Sequence, residues 1–202
     1  MAKSKIDFRH IFIEAVLIVF TVSLALALSE WRSSVKEEQT RKTVLRNIIS
    51  ELEDNKADLE QKMPYHKAMS EKLNQYVSSD SLWNTLNYKS GMEAMIQILD
   101  RGIWNPKLQS GAWRSAELSG VVNSFDYETL YKLSNVYSVQ EEGPDNTWKQ
   151  LAKLFVDPDS YDPSNARRLG SMLSLGFGEL YSQERSLIGS YTEVLNHLKE
   201  DL

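Results

Sequence analysis

The 202-residue sequence contains no cysteine and only three histidines, and both shortages exclude kinds of site. Without cysteine, no thiolate nucleophile, thiolate zinc site, iron–sulfur cluster or disulfide can form. No histidine follows a glutamate by three residues, so the Glu-x-x-His pairs of di-iron bundles are absent. The G-x-S-x-G, Walker A, G-x-G-x-x-G and H-E-x-x-H motifs are absent as well. We therefore expect no enzymatic activity, no metal and no cofactor.

The sequence also has no excess of basic residues, since it contains 23 Lys and Arg and 28 Asp and Glu, which gives a net charge of −5. Nucleic-acid binding needs concentrated lysine and arginine, and this sequence has no long basic stripe. Nucleic acid is therefore not an expected partner. With 42% hydrophobic and 25% charged residues, the composition is that of one globular domain plus an apolar segment.

That apolar segment runs from Ile11 to Leu28 and is interrupted only by Glu14, Thr21 and Ser23. As a helix, these residues rise by about 27 Å, close to the roughly 30 Å hydrocarbon core of a bilayer. The lipid bilayer is accordingly an expected partner.

Trp31 and Arg32 follow the apolar segment, where an aromatic and cationic belt marks a membrane surface. We predict a short cytoplasmic tail over residues 1–10, a single transmembrane helix over 11–30 and a helical soluble domain over 31–202.

A cleaved signal peptide is the alternative to a retained anchor. Lys3, Lys5 and Arg9 make a basic start, and Ala25–Ala27 has the small-x-small form of a cleavage site. The apolar run is longer than a usual signal-peptide core and contains Glu14. Both features favour the retained anchor.

One face of the predicted span differs from the rest. At 100° per residue it carries Glu14, Ile18, Thr21 and Ala25, with Ser29 at its edge, and we call these five residues the Glu14 face. A carboxylate inside the bilayer costs roughly 2–3 kcal/mol on insertion scales, so it needs a partner. Small residues at every fourth position also allow two helix backbones to approach closely. The pattern predicts an interface with a second copy or with a membrane protein partner.

Two other roles for Glu14 stay open. The carboxylate can pair near the headgroups with His10, one turn earlier, or with Arg9. It can also lie near an ion path, because intramembrane carboxylates often do.

The orientation of the span depends on how lysine and arginine are counted. A wide window includes Arg32, Lys36, Arg41, Lys42 and Arg46 after the span and would keep the domain in the cytoplasm. Next to the span, the short basic tail before Ile11 favours an inside N-terminus. We predict a bacterial inner-membrane protein with its large domain in the periplasm, a location that suits a cysteine-free chain.

The soluble part has the apolar spacing of three and four shared by helical bundles and coiled coils. Residues 33–80 read as one long helix or two end to end, in which Pro64 should kink or end the helix near Met63. Asn55 interrupts the apolar stripe and either sets helix register or meets a backbone carbonyl or water.

Local signals place the remaining helices. Ser110 is a candidate N-cap for the helix that carries Trp113, and Asp162-Pro163 is a strong helix start. The last helix is long, and the glycines inside it, Gly170, Gly176 and Gly178, indicate close packing more than a hinge. No glycine or proline occurs before Pro64, so the transmembrane helix is expected to continue outward into the soluble domain. The fold class is therefore all-α, with an N-terminal transmembrane helix that continues into a helical bundle with long first and last helices.

The middle of the chain is rich in aromatic residues. Trp104, Trp113, Tyr127 and Tyr131 can line a ligand pocket between helices, or they can pack in the core together with Tyr137. Two shorter patterns give weaker functional signals. Ser33-x-x-Lys36 matches a short acyl-enzyme motif, a match that we attribute to chance, and Glu193 with His197 suggests a surface ion pair.

The pattern E-x-x-L-I-x-x-S/T-x-x-L-A-x-x-x-x-E-W spans Glu14 to Trp31, and E-L-x-x-N spans Glu51 to Asn55. Gly111-Ala112-Trp113, Ser119-Gly120, Asp126-Tyr127 and Tyr137 follow downstream. With these residues the chain resembles a family of uncharacterised bacterial single-pass inner-membrane proteins. The resemblance implies a helical inner-membrane protein and supplies no catalytic residue. Where that family shows serine, Thr21 keeps the hydroxyl.

Two functions follow as hypotheses. The first is a non-enzymatic, membrane-anchored helical subunit that assembles with itself or with a membrane protein. The second is a periplasmic ligand-binding or sensory bundle that signals through the span to a partner.

Overall fold

The computed structural model describes residues 8–102 and 104–200, and every regular element in these ranges is helical. The α-helices are α1 (Phe8–Ser78), α2 (Asp80–Trp83), α3 (Gly91–Ile98), α4 (Gly111–Ser119), α5 (Tyr127–Gln140), α6 (Asn146–Leu154) and α7 (Ala166–Glu200). Short 3-10 turns occupy Val121–Ser124, Pro158–Tyr161 and Pro163–Asn165, and a π-helical turn, Glu141–Asp145, joins α5 to α6. The predicted all-α fold with long first and last helices is confirmed.

Helix α1 is 71 residues long and passes through Pro64 without ending. Of the two predicted effects of Pro64, a kink or an end near Met63, the end is therefore wrong. Proline removes one intrahelical hydrogen bond, but buried residues lie on both sides of it. Leu59 before it and Leu73 after it are both fully buried, and burying a leucine is worth about 1.5–3 kcal/mol. Packing along the helix thus outweighs the local cost of the proline.

The chain divides into two compact units, residues 1–43 and residues 44–202. In the first unit, side chains 12–40 are all exposed. An 18-residue window of the helix here has a mean hydropathy of 2.3, and none of it is buried. The helix is therefore long and apolar enough to cross a bilayer. Of the predicted cytoplasmic tail, residues 1–7 lie outside the described residues.

The second unit has two hydrophobic clusters, and α1 and α7 contribute to both. One cluster joins the 45–59 part of α1 to α4, α5 and the C-terminal half of α7. The other joins Met69 and Leu73 to α3, α6 and the N-terminal half of α7. These two long helices therefore form the frame on which the shorter helices pack.

The three glycines of α7 named from the sequence, Gly170, Gly176 and Gly178, lie at close contacts, as predicted. A Cβ on Gly176 would overlap the Leu151 side chain of α6, and one on Gly170 would lie 2.9 Å from Val77 Cγ2 of α1. The predicted helix start at Asp162-Pro163 is the start of the 3-10 turn Pro163–Asn165, which leads directly into α7. Asp162 Oδ1 caps this turn by accepting a hydrogen bond from the Ser164 amide at 2.8 Å, with Pro163 at the first position.

Candidate functional site

A stripe of polar residues lies along one side of α1 within the bundle. It consists of Glu51, Asn55, Asp58, Lys62 and His66, spaced by three or four residues so that they share a face, and we call it the polar stripe. Four of them are buried, with Asn55 and His66 fully so. Sequence reasoning singled out only Asn55, although the repeated polar spacing inside an apolar pattern was a signal for the others.

Glu51 holds the N-terminus of α4. Its Oε2 accepts a hydrogen bond from the Ala112 amide at 2.8 Å, and its Oε1 accepts one from the Tyr137 hydroxyl at 2.7 Å. Ser110 occupies the N-cap position of α4, as predicted, but its side chain makes no capping hydrogen bond. A carboxylate from α1 supplies the capping bond instead, where the helix dipole favours negative charge. Burial, and then the hydrogen bond to Glu51, raise the pKa of Tyr137 well above its ordinary value.

Asn55 and Asp58 hold the segment before α4. Asn55 Nδ2 donates to the Gln109 carbonyl and its Oδ1 accepts from the Gln109 amide, both at 2.7 Å. Asp58 Oδ2 accepts from the Lys107 amide at 2.6 Å. Of the two readings of Asn55, contact with a backbone carbonyl is therefore the one observed. Together with Glu51, these residues position the loop that leads into α4.

His66 and Glu184 form a buried pair between α1 and α7. His66 Nδ1 lies 2.9 Å from Glu184 Oε2, and both side chains are fully buried. Within the described part of the chain, His66 Nε2 and Glu184 Oε1 have no hydrogen-bond partner. Burial raises the pKa of Glu184, while the hydrogen bond from His66 opposes the shift. The His66 ring also stacks on Phe177, with 5.8 Å between centroids.

The four aromatic residues predicted to line a pocket lie in three different places, which corrects that prediction. Trp113 is buried and stacks on Tyr137, with 5.5 Å between ring centroids. Tyr127 and Tyr131 stack on each other but are 82% and 61% exposed. Trp104 meets the edge of Tyr65. Tyr127 and Tyr131 share one face of α5, and this face is exposed. Tyr137 lies on a different face of the same helix, which is buried in the core.

A polar cleft of about 260 Å³ lies beside the Trp113–Tyr137 pair. Helices α4 and α5 line most of it, and the π-helical turn and α6 add three charged residues, Glu141, Asp145 and Lys149. The lining residues are Ser110, Trp113, Arg114, Glu117, Ser134, Tyr137, Ser138, Gln140, Glu141, Asp145 and Lys149. We call this site the α4–α5 cleft. Of the predicted pocket residues, it contains Trp113 alone.

The residues of the Glu14 face are all exposed along α1. Thr21 Oγ1 donates to the Leu17 carbonyl at 2.7 Å, so its hydroxyl is satisfied within its own helix. Trp31, one of the two predicted interfacial anchors with Arg32, is 65% exposed. Pairing of Glu14 with His10 or Arg9 would involve side chains outside the described ones.

Glu193 and His197 each contact α5. Glu193 pairs with Lys132 at 3.1 Å, and His197 Nε2 lies 3.0 Å from Thr129 Oγ1. Throughout residues 8–102 and 104–200, no three His, Asp or Glu side chains are grouped so that they could hold a metal ion.

No family model, curated protein or solved structure matches this chain.

Proposed function

We propose that this protein is a membrane-anchored helical subunit, not an enzyme, of the single-pass inner-membrane kind that it resembles. The observation that carries the proposal is the exposure of residues 12–40, which contain a window of mean hydropathy 2.3. Soluble proteins rarely expose a contiguous apolar surface larger than a few hundred Å². A bilayer removes this surface from water, and Trp31 and Arg32 suit its boundary.

The proposed location is the bacterial inner membrane, with the N-terminus inside and the domain in the periplasm. The basic residues Lys3, Lys5 and Arg9 before the span support it. A reporter active only in the periplasm, fused after Leu202, should be active. Activity of a cytoplasm-only reporter at the same position would reverse the orientation.

Assembly is proposed to occur through the Glu14 face, with a second copy or a membrane protein as partner. Interhelical polar contacts in membranes are worth about 0.6–2 kcal/mol. Glu14→Leu should therefore weaken association by about 3- to 30-fold, because RT is about 0.6 kcal/mol. Glu14→Gln keeps a hydrogen-bonding head and should largely preserve it. The native mass of the detergent-solubilised complex reports both results.

A second pair of variants tests close packing. Thr21→Leu combined with Ala25→Leu adds bulk where backbones approach, so it should weaken assembly more than Glu14→Leu does. Val16→Leu and Val19→Leu lie off this face and serve as matched controls that should leave the mass unchanged. If the complex survives Glu14→Leu and the Thr21/Ala25 pair, the Glu14 face is not the interface and the span is an anchor only.

A further inference from the structure

We propose that the α4–α5 cleft binds a small amphoteric molecule of amino-acid size, which carries one carboxylate and one ammonium group. Binding there is independent of assembly through the Glu14 face. It gives the ligand-binding hypothesis raised by the sequence a definite location.

The shape of the cleft sets the size of the ligand. Its volume of about 260 Å³ lies just below the roughly 300–1,000 Å³ of sites for drug-sized molecules. Its floor is rigid, because Trp113 and Tyr137 are 6% exposed each and stack with their rings 8° from parallel. One end is formed by the π-helical turn that carries Asp145, and such turns are frequent at functional sites.

The charges of the cleft set the chemistry of the ligand. Arg114 and Lys149 form no ion pair within 4 Å among the described residues, and neither do Glu117 and Glu141. An anion would meet three carboxylates in this cleft, and a diamine would meet two cations. A molecule with both signs can pair its carboxylate with Arg114 or Lys149 and its ammonium group with one of the carboxylates. The hydroxyls of Ser110, Ser134 and Ser138 can then orient it.

Asp145 provides an independent indication of a site. It is half-buried, and burial raises its pKa, while Lys149 and the Gln140 amide oppose the shift and Glu141 adds to it. A carboxyl group with a perturbed pKa in a cleft is typical of a functional site.

The floor of the cleft is also tied to α1. Tyr137 donates to Glu51 at 2.7 Å, and Gln140 Oε1 accepts from the Tyr191 hydroxyl at 2.6 Å and lies 3.4 Å from Asn55 Nδ2. A ligand on this floor therefore contacts residues that are hydrogen-bonded to the polar stripe.

The test is thermal unfolding of the full-length protein in non-ionic detergent with each of the twenty L-amino acids at about 10 mM. A ligand with Kd near 1 mM raises Tm by about 3–6 °C at that concentration. At least one amino acid should produce such a shift. Succinate and putrescine, which carry charge of one sign only, should not.

Titration calorimetry with the amino acid that shifts Tm then locates the site. Arg114→Gln and Lys149→Gln should each weaken binding by tenfold or more, and both replace exposed side chains, so folding is retained. Lys153→Gln, one turn further along α6 and outside the cleft, is the matched control and should bind normally. The proposal is overturned if no amino acid shifts Tm, if succinate or putrescine shifts it equally, or if Arg114→Gln and Lys149→Gln bind as tightly as Lys153→Gln.

Discussion

Replacing His66 with leucine removes the one hydrogen-bond partner that Glu184 has among the described residues, and it leaves a carboxyl group fully buried. Removing one member of a buried ion pair typically costs about 3–5 kcal/mol. Glu184→Leu leaves the His66 imidazole without its hydrogen-bond partner instead, which costs about 1–3 kcal/mol. If the two positions were independent, the double variant His66→Leu/Glu184→Leu would lose about 4–8 kcal/mol of unfolding free energy.

The double variant should instead lose far less than that sum. His66 Nε2 and Glu184 Oε1 are already without partners, and replacing a buried pair by apolar residues of similar volume is often neutral or stabilising. We expect the double variant to lie within about 2 kcal/mol of the natural protein. The coupling between the two positions is then at least about 2 kcal/mol.

Thermal unfolding of the full-length protein in detergent, followed by circular dichroism, measures this coupling. A change of 1 kcal/mol shifts Tm by about 2–4 °C for a chain of this size, so His66→Leu should lower Tm by about 6–20 °C. Lys67→Gln with Glu71→Gln, an exposed pair 3.9 Å apart on α1, is the control and should change Tm little. Additive losses from His66→Leu and Glu184→Leu would refute the reasoning.

Three further predictions concern the bundle. Gly176→Ala should destabilise it by about 1–3 kcal/mol in chemical denaturation because the Cβ meets Leu151, whereas Gly189→Ala, with nothing within 4 Å, should be neutral or stabilising by up to about 1 kcal/mol; equal effects would contradict the packing. Glu51→Gln should cost about 1–3 kcal/mol in the same assay because α4 loses its charged cap, while Ser110→Ala should do almost nothing, and the reverse order would restore Ser110 as the cap. The folded-state pKa of Glu184 is raised above its ordinary 4.5, so its contribution to stability is present below about pH 4.5 and is lost as pH rises through the raised pKa. Glu184→Gln should therefore flatten this decline of stability in a series of Tm values measured at different pH. An unchanged slope of Tm against pH would contradict the raised pKa.

The fold was largely predictable because its signals are local. Apolar spacing of three and four predicted the helices, and the absence of proline and glycine before Pro64 predicted the continuous α1. Asp162-Pro163 predicted the helical turn Pro163–Asn165 that leads into α7. The prediction that Pro64 could end the helix was wrong, because it considered the low helix propensity of proline without the burial of residues on both sides of it.

The candidate sites were much less predictable, because they join residues far apart in sequence. Glu51 caps a helix 61 positions away, and His66 pairs with Glu184 across 118 positions. No local pattern specifies such partners. The exposure of Tyr127 and Tyr131 likewise depends on the rotation of α5 against its neighbours, which aromatic content alone does not reveal.

Intact mass of the protein recovered from carbonate-washed bacterial membranes tests whether the apolar part of α1 is retained in a bilayer. Alkaline carbonate strips peripheral proteins and leaves spanning helices in place. If residues 11–30 span the bilayer and are not removed, the protein should stay in the membrane pellet with its full-length mass. Recovery in the supernatant, or a mass shortened by cleavage after Ala27, would contradict the anchor.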